Sequence, residues 1–188
     1  VAVIGGGNTA IDCARTAKRL GASEISIVYR RSRAEMSADP SEIDEAEHEG
    51  VKLVFLAAPT KIAGQDGKVT GLTCIRMQLG EPDASGRRRP VPIPGSEFTL
   101  PMDTVIAAVS QSPDLSLAPG LTVTRSGAAG ADDTLATNLP GVFAGGDAAT
   151  GPAFVVDAIA AGHQAARSIE NYLHVQEGEP TAPPETSI

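Results

Sequence analysis

The chain predicts an α/β fold built on a parallel sheet, and three observations carry that prediction. An apolar run, Val1 to Ile4, leads straight into Gly5-Gly6-Gly7 and an alanine-rich helical pattern. Strand-like and helix-like stretches then alternate as far as about Leu56, the order that lays strands side by side with crossover helices. From Lys61 the rhythm changes to short strands broken by Gly, Asp and Pro, which reads as an antiparallel meander inserted into the parallel unit.

Taken in order, the first helix is predicted from about Asn8 to Leu20, stopping at Gly21, which suits a left-handed cap. Ala10, Ala14 and Ala17 share one face of it and are small enough for close packing on a sheet. EISIVY (Glu24 to Tyr29) predicts a second strand. Asp39-Pro40-Ser41-Glu42 combines capping-box spacing with Pro at a first helical position, so a helix is expected from about Pro40 to Glu49, closed by Gly50. VKLVFL (Val51 to Leu56) is the third strand. Lys68 to Gln78 and about Glu97 to Leu100 belong to the meander, separated by a Pro/Gly-rich loop carrying Arg87, Arg88 and Arg89. Asp103 to Val109 reads as a buried strand returning to the sheet.

A domain boundary is expected in Ser110 to Asp114, giving a first domain over residues 1–113 and a second over 114–175. In the second, Leu139 to Asp147 predicts a strand entering a glycine turn, with a long helix from about Pro152. Val155, Ile159, Gly162, Ala166, Ile169 and Leu173 recur at spacings of 4, 3, 4, 3 and 4, the stripe of a core-facing helix. Residues 176–188 are polar and Pro-rich, and a disordered tail is expected there.

Composition narrows the function. At 188 residues, 41% apolar and 20% charged, the chain is long enough for a sizeable core. The formal net charge of −8 argues against nucleic acid as a partner, since phosphate backbones need a basic surface. No run approaches 18 apolar residues, so no membrane span is expected, and no leader pattern is present. Cys13 and Cys74 form no Cys-x-x-Cys pair, and a reducing cytoplasm is the expected location. With only two cysteines and the scattered His48, His163 and His174, there is no metal-ligand spacing, and each histidine reads as a solvated surface residue.

Two constellations carry chemistry. Gly5-x-Gly7-x-x-Ala10, between a strand and a helix, is the layout of a dinucleotide-binding turn. Gly5 permits the tight turn, Gly7 lets backbone approach a pyrophosphate, and Ala10 allows close helix–sheet packing; Gly6, Asn8 and Thr9 complete the candidate site. The helix start aims N–H groups and partial positive charge at the phosphates. The alternative is a tight strand–helix turn in a fold that binds no nucleotide. At the end of the second strand, Arg30 lies 20 positions after Ala10, where an acid would bind a free ribose hydroxyl. Arg30 and Arg31 suit a 2′-phosphate instead, which favours NADPH over NADH; alternatively they pair with Glu42, Asp44, Glu45 and Glu47. The second constellation is Val142-Phe-Ala-Gly-Gly-Asp147, followed by a helix start containing Ala153 and Phe154. A carboxylate there can accept hydrogen bonds from cofactor hydroxyls.

GGGNTAIDCARTA, YRRSRAEM, GEPDASGRRRPVPIPGSE and GVFAGGDAATGPAFVVDAIAAGHQAA together resemble the small (β) subunit of NADPH-dependent glutamate synthase. That family lies among the two-dinucleotide-binding flavoproteins related to glutathione and thioredoxin reductases. The likeness runs from Val1 to about Leu173. It implies a Rossmann-like three-layer NAD(P)-binding domain with an antiparallel β-meander, followed by the closing part of an FAD-binding domain. By resemblance, the first motif and the Arg30–Arg31 pair bind NADPH. Gly146 and Asp147 contribute to an FAD site, with Ala153 and Phe154 near the isoalloxazine ring. The family's own FAD glycine turn and iron–sulfur region lie upstream of Val1, and the chain is expected to be a fragment. The resemblance implies hydride transfer from NADPH to FAD and electron passage to a large glutamate synthase-like subunit. The chemistry then belongs to the cofactors, so no catalytic acid, base or nucleophile is assigned; Asp12, Glu35 and Glu49 read as structural. Two departures stand out: Ser110 where the family has Gly before Gln, and His163 where it often has Arg.

Overall fold

In a computed structural model, which describes residues 1–84 and 86–177, the chain divides into two compact units, Val1–Val109 and Ser110–Ile188. The first is built on four parallel strands, β1 (Ala2–Ile4), β2 (Ser26–Tyr29), β3 (Lys52–Phe55) and β8 (Val105–Ala107), in the order β3-β2-β1-β8. Helices α1 (Asn8–Arg19) and α2 (Pro40–His48) connect β1 to β2 and β2 to β3. Both connections step the same way across the sheet. Right-handed crossovers therefore put both helices on one face. The chain then returns past β1 to β8, and its connection covers the other face with β4 (Ala57–Gln65), β5 (Lys68–Pro82), β6 (Arg88–Pro92) and β7 (Phe98–Pro101).

Side chains alternate between these two layers, as the period of a strand requires. Val3, Ile27, Leu53 and Ile106 pack with Ala10, Ile11, Ala14, Ile43 and Ala46 of the helices. Ala2, Val28, Val54 and Val105 pack instead with Ala57, Leu72 and Cys74 of the meander. Both sheet faces are buried, which is why these strands read as continuous apolar runs rather than alternating ones. Packing the layer raises the Cys74 thiol above its ordinary pKa through burial.

The structure corrects the sequence reading of the meander. β4 starts at Ala57 rather than about Lys61, and the Pro-rich loop contains β6, paired antiparallel with β5. Pro90 and Pro92 hide this strand in the sequence. Within the three-strand order β4-β5-β6 it is an outer strand, where a missing N–H costs nothing on the open side. A short 3-10 helix, Arg33–Glu35, also went unread; Ser32 and Glu35 close a capping box across it.

Ion pairs stitch α1 to α2. The Arg15 guanidinium donates to Glu42, to Glu45 at 2.7 Å and to Glu49 at 2.9 Å, while Arg33 pairs with Asp44 and Glu47. Hydrogen bonding to Arg15 lowers the Glu49 pKa, and hydrogen bonding to Ser32 lowers that of Glu35. A carboxyl whose pKa falls on folding stabilises the native state above its unfolded value and loses that contribution as pH drops through the folded value. The melting temperature is therefore expected to fall with acidification below about pH 4.5, the ordinary glutamate value, and less steeply in Glu49→Gln. A flat melting profile from pH 7 to pH 3 would contradict this.

The second unit is mostly turns. Where a strand was expected, at Leu139 to Asp147, there is only the isolated bridge Ala136↔Phe143, and the bridges Val123↔Ala129 and Ala131↔Thr137 lie in the turns before it. The Asp132 carboxylate organises its loop by accepting from the N–H groups of Thr134 and Ala136 at 2.8 and 3.1 Å. A four-residue helix, α3 (Asp147–Thr150), precedes the long α4 (Val155–Glu177). The expected tail falls on residues 178–188, outside the described residues, while Gln176 and Glu177 belong to α4.

The stripe expected to face a core does not do so among the described residues. Val155, Ile159, Ile169 and Leu173 are 76, 55, 40 and 53% exposed. α4 packs through its alanine face instead: Ala161 lies against Gly145, and the Tyr172 ring meets Phe143 edge-on with centroids 5.9 Å apart. Periodicity shows which face is apolar; it does not show what covers it.

Candidate functional site

Gly5–Ala10 lies at the point where the strand order reverses, since β1 has β2 on one side and β8 on the other. In open α/β sheets the crevice at such a point, beyond the carboxyl ends of the strands, is where ligands bind. Gly5 adopts φ +153°, and a Cβ there would lie 2.3 Å from the Ala108 carbonyl oxygen. A Cβ on Gly6 would lie 2.4 Å from the Tyr29 ring. Gly7 differs from both. The nearest atom to a Cβ there is the Ser37 hydroxyl at 3.3 Å, a tight contact that a small shift of that side chain would relieve rather than a backbone or ring clash.

The start of α1 fits an anion. Gly7 is the N-cap, no side chain caps it, and the first turn holds no acidic residue. Its orphan N–H groups and the helix dipole are thus left for a phosphate. The Asn8 side chain is otherwise engaged, its oxygen accepting from the Asp39 N–H at 2.9 Å. Thr9 is exposed and Ala10 fully buried under the turn. The Gly6 carbonyl accepts from Ser37 and Ala38 N–H at 3.0 and 3.2 Å, which ties the loop after β2 to the turn.

At the end of β2 the two arginines part company. Arg30 is exposed and has no hydrogen-bond or ion-pair partner among the described residues. Arg31 is 5% exposed; its Nε donates to the Arg88 carbonyl at 2.8 Å and its Nη2 to Asp83 at 2.5 Å. Neither pairs with the acidic helix, whose partners are Arg15 and Arg33. Tyr29, Ser37 and Asp83 were not singled out in the sequence. Asp83 lies 52 residues from Arg31, and no local pattern signals such a pair.

In the second unit, Gly146, Asp147, Ala153 and Phe154 line one open cleft of about 530 Å³. Gly146 has φ +60°, and the Asp147 carboxylate accepts from the Ala153 N–H at 3.3 Å. Asp157 accepts from the Phe154 N–H at 3.2 Å, which starts α4 at Val155 rather than Pro152. Gly145 of the same motif also lines it, together with two small residues of α4 that carry no sequence motif, Ala158 and Ala161. Among the described residues no group of three or more His, Cys, Asp or Glu is placed to hold a metal ion, and no helix is long and apolar enough to cross a membrane.

A family profile described as pyridine nucleotide-disulphide oxidoreductase matches residues 1–162. The chain belongs to that family. Among its relatives, the β subunit of an NADP(+)-dependent formate dehydrogenase from Moorella thermoacetica is 53% identical over 183 residues, 96% of this chain and 26% of the relative. The β subunit of an NADPH-Fe(3+) oxidoreductase from Geobacter sulfurreducens is 50% identical, over 92% of this chain and 30% of its own length. The glutamate synthase [NADPH] small chain of Azospirillum brasilense is 45% identical, over 97% of this chain and 39% of its own length. The chain thus spans well under half of these relatives. In structure it is similar to thioredoxin reductase from Lactococcus lactis (TM-score 0.74, 23% identity, 92% of this chain and 52% of that one). It is also similar to FprA of Mycobacterium tuberculosis (TM-score 0.71, 19% identity, 98% and 55%). At those identities the likeness concerns the fold, the Rossmann-like architecture of pyridine nucleotide-disulphide oxidoreductases.

Proposed function

We infer that this chain is the NADPH-binding portion of a flavin-dependent oxidoreductase. The observation that carries the reading is the exposed Arg30 at the end of β2, where a free ribose hydroxyl would call for an acid, beside an uncapped helix start at the strand-order reversal. Gly5, Gly6, Gly7, Asn8, Thr9 and Ala10 would form the pyrophosphate cradle, and Arg30 with Arg31 the 2′-phosphate end. Gly146, Asp147, Ala153 and Phe154 would form part of the FAD site, the Asp147 carboxylate accepting from flavin-side hydroxyls. When bound, these cofactors supply hydride transfer from NADPH to FAD and electron delivery to an acceptor. The chain's own residues bind and orient.

The relatives named above share NADP(H) in their names and differ in the second reactant. A glutamate synthase-like parent with a large-subunit partner, and iron–sulfur clusters outside this chain, is the reading favoured by the motifs. Acceptor choice would then reside outside these residues. The open cleft and the exposed Val155, Ile159 and Leu173 support a further reading for the chain taken alone. On that reading it is a nucleotide-binding module whose flavin site needs more protein to complete it.

In a calorimetric titration NADPH is expected to bind about tenfold or more tightly than NADH, a difference of about 1.4 kcal/mol or more. Arg30→Ala/Arg31→Ala should erase the preference. Equal affinities in the unaltered protein would overturn the reading, and a preference surviving the double substitution would place the phosphate site elsewhere.

A further inference from the structure

The loop from β2 to α2 runs alongside the glycine turn and is stapled to it at three consecutive positions. The N–H groups of Ser37 and Ala38 donate to the Gly6 carbonyl at 3.0 and 3.2 Å, and that of Asp39 donates to the Asn8 Oδ1 at 2.9 Å. Residues 37–39 therefore straddle Gly7, the N-cap of α1. On either side of Ser37, Met36 and Ala38 pack into the core on the helix side of the sheet. Ser37 stands exposed between them, and its hydroxyl is the nearest atom, at 3.3 Å, to the Cβ that Gly7 lacks. That hydroxyl makes no hydrogen bond to another of the described residues. A polar group is thus held by its backbone at the rim of the glycine turn with its own proton uncommitted.

Resting on the nucleotide reading above, we propose that the Ser37 hydroxyl is a further ligand of the dinucleotide, donating to its pyrophosphate. The second glycine of such a turn is where the backbone lets the pyrophosphate approach, and Ser37 borders that place. A hydroxyl donates one hydrogen bond, and a bond to an anionic oxygen is about twice as strong as one between neutral groups. The loop is already fixed by its three N–H bonds, so little ordering remains to be done when the ligand arrives. The pyrophosphate is then gripped from two elements, by the N–H groups at the start of α1 and by Ser37 across from them. Arg30 and Ser37 divide the work. Arg30 reads the 2′-phosphate and sets selectivity, whereas Ser37 meets a group that NADPH and NADH share and contributes affinity alone. The Gly-x-Gly-x-x-Ala motif does not contain this ligand; the β2–α2 loop brings it from 30 residues beyond Gly7.

The test uses ADP-ribose and its 2′-phosphorylated form as probes, titrated calorimetrically into the intact protein that carries this chain. Both hold the pyrophosphate, and neither can reduce a flavin. Ser37→Ala keeps the N–H groups that staple the loop and removes only the hydroxyl. It should weaken both probes about tenfold and leave the ratio of their dissociation constants within about twofold of the unaltered protein. Ser37→Thr, which keeps a hydroxyl, should bind both within about threefold of the unaltered protein. Ser37→Asp sets a carboxylate against the phosphates and should weaken both more than Ser37→Ala does. The proposal is overturned if Ser37→Ala binds both probes as the unaltered protein does, or if Ser37→Thr is as weak as Ser37→Ala. A loss confined to the 2′-phosphorylated probe overturns it too, since the hydroxyl would then serve the 2′-phosphate. The NADPH reading fails separately. Equal binding of the two probes by the unaltered protein would overturn that preference, while a tenfold loss of ADP-ribose in Ser37→Ala would still support the pyrophosphate contact. Failure of either probe to bind the unaltered protein at all would overturn both.

Discussion

Alanine at Gly5 or Gly6 is expected to abolish nucleotide binding and to lower stability by about 2–4 kcal/mol, the range for overpacking compounded by backbone strain. At Gly5 the added carbon would sit 2.3 Å from the Ala108 carbonyl oxygen. That carbonyl cannot retreat easily. The Ala108 N–H donates to Ile4 at 2.8 Å and Gly5 N–H to Val28 at 3.2 Å, so the turn is pinned between neighbouring strands. The φ of +153° adds a conformational cost for any L-residue. At Gly6 the obstacle is the Tyr29 ring, itself held by a 2.6 Å hydrogen bond from its hydroxyl to the Glu35 carbonyl. Gly7→Ala is the informative control. With only the Ser37 hydroxyl nearby at 3.3 Å, the fold should tolerate it, whereas a phosphate approaching the backbone should not. Urea unfolding with NADPH titration of the three variants separates these effects. A Gly5→Ala protein with unaltered midpoint and affinity would show that the turn is not the rigid cradle described.

Leu72→Ala should cost about 2–5 kcal/mol, the usual range for truncating a buried leucine. Leu72 is fully buried in β5, paired to Ile62 of β4 and Leu100 of β7, and it fills the layer beneath Ala2 and Val28. A cavity there undermines the back of the parallel sheet whose front carries the glycine turn. Ile62, in register with Leu72 but 53% exposed, should cost under about 1 kcal/mol when truncated, because little apolar area is lost from burial. Chemical denaturation compares the two directly. A Leu72→Ala loss below about 1 kcal/mol would mean that the meander is not a cooperative part of the first unit.

The comparison of sequence with structure divides along the range of the interactions. β1, the glycine turn and α1 were legible because every requirement is met within about 20 residues: an apolar strand, glycines where a Cβ would collide, and small residues on one helix face. β6 was not, because its prolines are breakers in isolation and become acceptable only at an outer strand. Ser110 shows the same limit in the backbone. The structure holds it at φ +83°, a conformation glycine adopts without cost and one that a serine in the sequence does not announce.

By itself the sequence determined the α/β class, the strand–turn–helix that builds an anion site, and the presence of cations where an acid would select an unphosphorylated ribose. Those are local matters of residue size, backbone freedom and charge. Only the tertiary structure decided that Arg30 stands exposed while Arg31 is bound to Asp83, that Gly6 yields to Tyr29, and that the apolar stripe of α4 lies uncovered among the described residues. Each of these depends on which distant segment arrives beside a residue. Burial and ion pairing are properties of that arrival, and neither side chain nor spacing encodes them alone.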